Sequence, residues 1–220
     1  MDLFLFAIFT FLYIALLIWG IKLAAKYGWS SSANIVLFVV VGLIYDNGIL
    51  ALGRFIGEGN ILEALNLARY WLHAFFTPLL VIFSWNTVKR ANMKSVKSKG
   101  AMYVTILITI GLVIIELITE VVGISLKATS DYGLLSYENV EPSNGPPMMV
   151  LIISVILLIA SIIVWWRQKW IWFFIGSAIM IGGSFIPIPI ESGAATNLFE
   201  LILMTSLIAT KSFQDKKSSR

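Results

Sequence analysis

Apolar segments of about twenty residues recur seven times along this chain, separated by short stretches that hold the turn residues and most of the charge. A helix needs about 20 such residues to cross the hydrocarbon core of a bilayer, so this spacing limits the chain to very few folds. Apolar runs, read against glycine, proline and charge signals, place spans at 2–25, 33–53, 69–88, 101–124, 147–166, 170–187 and 195–211. The expected fold is an all-α polytopic transmembrane bundle of about seven helices. Composition agrees, since 59% of the 220 residues are hydrophobic, against roughly 45–50% in soluble domains. One transmembrane domain over 1–212 and a basic cytoplasmic tail over 213–220 account for the whole length. No separate soluble domain fits.

Charge then orients the bundle. With seven spans, thirteen of the sixteen basic residues gather on one side, and only Arg54, Arg69 and Lys127 fall on the other. Six or eight spans would scatter them. The positive-inside rule makes the rich side cytoplasmic, with the N-terminus outside and the C-terminus inside. The net charge of +4 therefore belongs to cytoplasmic connections and gives no reason to expect a nucleic-acid partner. The first segment has neither a basic n-region nor a small-residue cleavage site, so it is expected to persist in the mature protein. The absence of cysteine removes thiolate catalysis, iron–sulfur ligation and disulfides. The expected location is integral to a membrane, the cytoplasmic membrane of a bacterium.

Two connections lie on the outer side. Residues 54–68 contain an amphipathic stretch, Ile61 to Asn66, read as a short interfacial helix. Residues 125–146, with Asp131, Glu138 and Glu141, read as an acidic, turn-rich loop, more simply a solvated connector than a lid. At the other side, the hinge Trp165 to Trp170 makes the fifth and sixth spans antiparallel neighbours. Gly182-Gly183 is read as permitting close helix packing.

Ionisable groups inside spans cost roughly 2.5–3.5 kcal/mol each at the bilayer centre, so each needs a reason. The second span carries the triplet Tyr45-Asp46-Asn47, with Arg54 about two turns beyond Asp46. On the third, Arg69, His73 and Thr77 recur every four residues and form one polar stripe. The fourth carries Glu116 and Glu120, a mutually repelling i,i+4 pair that wants a partner. Glu191 follows the sixth span, and Asn197 and Glu200 open the seventh. All of these fall in the outer half, and sparing lipid from them means turning them inward around a shared pocket. The inner halves read as dry, with Asp215 the one acid on that side. Plainer readings compete: Arg69 as an interfacial ion pair with Glu58 or Glu63, and His73 as a structural hydrogen-bonded histidine.

Several chemistries are absent from the sequence. There is one histidine, no HExxH, no Walker loop, no GxSxG, no dinucleotide fingerprint and no lysine midway along the seventh span for a Schiff base. No cofactor is required. A carboxylate–histidine set of Asp46, Glu116, Glu120, Glu200 and His73 suits a hard or borderline divalent cation, although its spacing singles out no metal.

The stretch from Tyr45-Asp46-Asn47 through Arg54 to Arg69 and His73-Ala74-Phe75-Phe76-Thr77-Pro78 resembles a family of small bacterial multi-helix membrane proteins, over about a fifth of the chain. That resemblance implies no substrate. In architecture alone, seven helices with scattered carboxylates are similar to the integral-membrane terpene cyclases, in which acids protonate an isoprenoid.

The reading that follows is an intramembrane enzyme or binding protein for a lipophilic small molecule, an isoprenoid or lipid entering from the outer leaflet, possessing cyclase-type acid chemistry. Asp46, Glu116 and Glu120 would be the general acids and bases, with His73 among the catalytic groups. Arg69 would tune them, Asn47 would orient one, and Tyr45, Arg54, Glu191, Asn197 and Glu200 would line the substrate site. A proton- or cation-coupled transporter or channel is the alternative, and a non-catalytic assembly or sensory subunit a third. The lipid bilayer is the expected partner in each.

Overall fold

In the computed structural model, which describes residues 2–140, 147–185 and 193–219, the chain is a helical bundle with one small hairpin. Six helical stretches are long and apolar enough to cross a membrane. Large apolar side chains stand outward from them. Phe4, Phe11, Leu107 and Trp166 are each at least 72% exposed, an arrangement that water penalises and acyl chains do not.

The first helix, α1 (Asp2–Tyr27), packs along α2 (Val36–Ile56) and α8 (Gly193–Ser218). Between α1 and α2 the chain reverses at Gly28, whose φ of 109° favours glycine. Asn34 ties the turn by donating to the carbonyls of Gly28 and Trp29.

After a turn at Gly57 to Gly59 comes α3 (Asn60–Phe76), then α4 (Leu79–Arg90). The amphipathic stretch at 61–66 is thus the start of a long helical crossing and not a separate interfacial helix. The expected third span at 69–88 lengthens to Asn60–Arg90. Its break is at Thr77-Pro78. Proline has no N–H to offer the carbonyl four residues back, and the next bonds tighten, Leu80 to Thr77 and Val81 to Pro78.

Next, α5 (Lys99–Glu116) ends in a π-helical turn, Leu117–Val121, that holds Glu120. The described part of the acidic connector that follows, 125–140, is not irregular. Strands β1 (Leu126–Thr129) and β2 (Ser136–Asn139) form an antiparallel hairpin, its tip turned by Tyr132 and Gly133 at positive φ. The hairpin is docked at three places. The carbonyl of Leu135 sits where a Cβ on Gly53 would be, Tyr137 Oη accepts from Gly59 N at 3.1 Å, and Tyr70 Oη accepts from Asn139 N at 3.3 Å.

The last helices are α6 (Met148–Gln168), α7 (Trp172–Phe185) and α8. As the short hinge requires, α6 and α7 pack together, with Trp165 and Phe174 rings 5.0 Å apart. Only one of the paired glycines makes a close approach: Gly183 lies against the Phe199 ring, whereas Gly182 faces open space. Over the stretch read as a basic tail, α8 continues through Ser218.

Candidate functional site

Three cavities join end to end along the inside of the bundle. A wide vestibule of about 630 Å³ lies beneath the hairpin, bounded by Asp2, Asp131, Glu138 and Asn197. It shares Asp46, Arg69 and Asn197 with a second cavity of about 190 Å³, which adds His73, Thr77, Phe76 and Glu200. That in turn shares His73, Thr77 and Glu200 with a small apolar pit of about 60 Å³ walled by Leu157, Met180, Leu203 and Met204. Polarity therefore falls from vestibule to pit.

The floor of the vestibule is an ion pair. Arg69 Nε donates to Asp46 Oδ1 at 2.8 Å, and Arg69 Nη1 donates to Asn66 Oδ1 at 2.7 Å. Asn66 is fully buried and fixes its own amide by donating to Leu62 O at 2.8 Å. It is a positioning residue that sequence reasoning passed over, although its place three residues before Arg69 puts the two on one helix face. The competing pairing of Arg69 with Glu58 or Glu63 does not occur. Because α3 begins at Asn60, those acids lie turns away from an arginine aimed into the bundle.

Below the pair, the expected stripe on α3 holds. Thr77 Oγ1 is 3.2 Å from His73 Nδ1. The other ring nitrogen, Nε2, is 3.6 Å from Glu116 Oε1, an ion-pair distance just outside direct hydrogen bonding. His73 is 41% exposed and Glu116 8%, and the exposure of the histidine is to the cavities it lines. Glu120, one π-helical turn further, acts electrostatically on both Glu116 and His73. Across from them Glu200 reaches in from α8 at the join of the polar cavity and the pit. Among the described residues its carboxyl has no hydrogen bond or salt bridge.

So Asp46, Arg69, His73, Asn197 and Glu200 do converge, Glu116 joins through His73, and Glu120 stands behind it. Three other candidates, Tyr45, Asn47 and Arg54, line none of these cavities. Tyr45 donates to Leu65 O at 3.1 Å and fastens α2 to α3. Asn47 is fully buried and donates to Leu43 O within its own helix. Each flanks Asp46 by about 100° of helical rotation, so three consecutive residues could not share its face. Arg54 is exposed, because eight residues overshoot two turns by roughly 80°. Glu191 and Glu141 lie outside the described residues. Nor do the acids gather as metal ligands: among the described residues no three histidine or acidic groups are placed to hold an ion.

A second charged cluster, unforeseen from sequence, occupies the opposite end. Asp215 accepts from Arg90 Nη2 and Lys211 Nζ, both at 2.6 Å, and is only 3% exposed, with Lys211 at 1%. Gln214 donates to Thr87 O and to Gln168 Oε1, while Gln168 donates to Arg90 O. Trp170 stacks on Phe213 at 4.4 Å. The half of the bundle whose sequence reads as dry is therefore not dry: its charged groups are ion-paired, and Gln168 and Gln214 are hydrogen-bonded beside them.

The class defined by this fold is a polytopic helical membrane protein with a graded internal cavity. No protein-family model, curated protein or solved structure matches the chain.

Proposed function

We propose that this chain binds a lipophilic small molecule inside the membrane and that cavity carboxyls exchange protons with it. The observation that carries this reading is the continuity of a polar cavity holding the unpartnered Glu200 with a pit made of aliphatic and methionine side chains. An amphiphile fits that gradient, polar end toward Glu200 and chain in the pit. Asp46 is already the counterion of Arg69, so the leading proton-exchanging groups become Glu200 and the Glu116–His73 couple. Positive-inside orientation would open the vestibule to the outside and place the N-terminus there, in a bacterial cytoplasmic membrane.

Full-length protein purified in mild detergent, with its bound molecules extracted and identified by mass spectrometry, tests this. One class of apolar molecule is expected near stoichiometry, reduced about tenfold or more in Glu200→Ala by loss of a buried polar contact. An extract holding only bulk phospholipid at the level of an unrelated membrane protein overturns it.

A further inference from the structure

Charge along the cavities narrows the chemistry of the molecule. Among the described residues Arg69 is the one lysine or arginine lining any of the three, and its guanidinium is committed to Asp46 and Asn66. Against it stand Asp46, Asp131 and Glu138 in the vestibule and Glu200 deeper in. A phosphate or carboxylate headgroup entering here would meet like charge, with no free lysine or arginine among the described lining residues to receive it. A neutral headgroup would leave Glu200 without a counter-charge. A cation meets acids at the entrance and an unpartnered carboxyl at the polar–apolar join, the place where its own chain would enter the pit.

We infer that the ligand is a cationic amphiphile, a lipophilic amine whose ammonium group pairs with the carboxylate of Glu200 while its apolar chain occupies the pit beside Leu157, Leu203 and Met204. The inference rests on the amphiphile reading above and names the headgroup class. Vestibule acids draw the cation in, because a low-dielectric funnel of one sign concentrates opposite charge. Glu200 then supplies the buried partner that an ammonium needs once water is left behind. Arg69, held by Asp46 and Asn66, keeps the entrance from binding the cation so strongly that it stops there.

The test uses three probes of one chain length, tritiated octylamine, octanol and octanoate, with saturable binding to the full chain in nanodiscs measured by scintillation proximity. Octylamine is expected to bind at least about tenfold more tightly than octanol and octanoate. Glu200→Gln should cost octylamine about tenfold and leave octanol unchanged. The double variant Asp131→Asn, Glu138→Gln, whose changes lie on or beside the hairpin, should slow octylamine association severalfold and flatten its salt dependence. If octanol or octanoate binds as tightly as octylamine, the cationic inference fails while the amphiphile reading stands. If none of the three binds saturably to the wild-type chain, both fall. The comparison of probes needs no variant to fold.

Discussion

Replacing Asp215 by asparagine should be among the most damaging single changes in the chain, although it lies far from the candidate site. Asp215 is the shared acceptor of Arg90 and Lys211; Asp215 and Lys211 are almost wholly enclosed and Arg90 is 16% exposed. The variant keeps the shape of the side chain and removes its charge, leaving a buried and a partly buried cation facing each other without an anion. Removing one partner of a buried pair costs about 3–5 kcal/mol. For a chain of this length that corresponds to a fall in melting temperature of roughly 6–20 °C. Intrinsic fluorescence during a thermal ramp in detergent measures it, with Trp170 stacked on Phe213 as a local reporter. Lys211→Met on its own leaves the Arg90–Asp215 pair intact and should cost much less. Combined with Asp215→Asn, it removes one orphaned cation and should restore part of the loss. An Asp215→Asn melting point within 2 °C of wild type would refute the reasoning, because the carboxylate would then not be holding the cluster together.

Three further outcomes follow from close contacts. Gly53→Ala places a methyl where the Leu135 carbonyl sits, so the hairpin should lift, at about 1–3 kcal/mol, with faster amide exchange confined to 126–139. Gly183→Ala should destabilise by a similar amount through the Phe199 ring, while Gly182→Ala, facing open space, should be neutral or gain up to about 1 kcal/mol of helix propensity; equal melting points for the two would deny the close approach. Asn47→Leu should leave the retained small molecule unchanged in mass-spectrometric extracts, since Asn47 lines none of the three cavities; loss of that molecule would return Asn47 to the site.

Helices were legible because lipid demands an unmistakable signal: twenty apolar residues in a row have few alternative fates. The stripe Arg69, His73, Thr77 was legible for the same reason, since a four-residue period needs only a helix to become a face. Pairings between elements were not. Arg69 chooses Asp46 over nearer acids because of where α3 begins, and that boundary depends on Gly57 and Gly59, which read equally well as the middle of a loop. The hairpin was hidden by its composition. Asp131, Gly133 and Glu138 suggest solvated chain, while the contacts that order it come from Gly53 and Tyr70 on helices and Gly59 in a turn, all far back in the sequence. Arg90 and Asp215 were each visible as charges. What could not be read was their meeting across more than a hundred residues, in stretches whose basic character matched the expectation for exposed connections.

The contrast between the two ends bears on which class of function the cavity serves. At the vestibule end, polar groups are arranged around space; at the other, Arg90, Lys211, Asp215, Gln168 and Gln214 are arranged around one another. A transporter would have to open that second set in every cycle, exposing two cations and an anion whose separation costs several kcal/mol unless water replaces each lost partner. A substrate's binding energy would have to supply that difference, because a ligand shifts an equilibrium only by its differential affinity for the two states. The pit that faces this seal is apolar, lined by Leu157, Met180, Leu203 and Met204, and gives a charged traveller nothing to hold before the seal opens. A molecule whose polar end stays at Glu200 has no need to break it. This favours a closed-ended pocket over a passage, and it makes a specific demand on the rival: a transporter built this way should move substrate faster when Asp215→Asn weakens the seal. If liposomes carrying that variant show no gain in flux of octylamine or protons over wild type, while binding persists, the closed pocket is the better account.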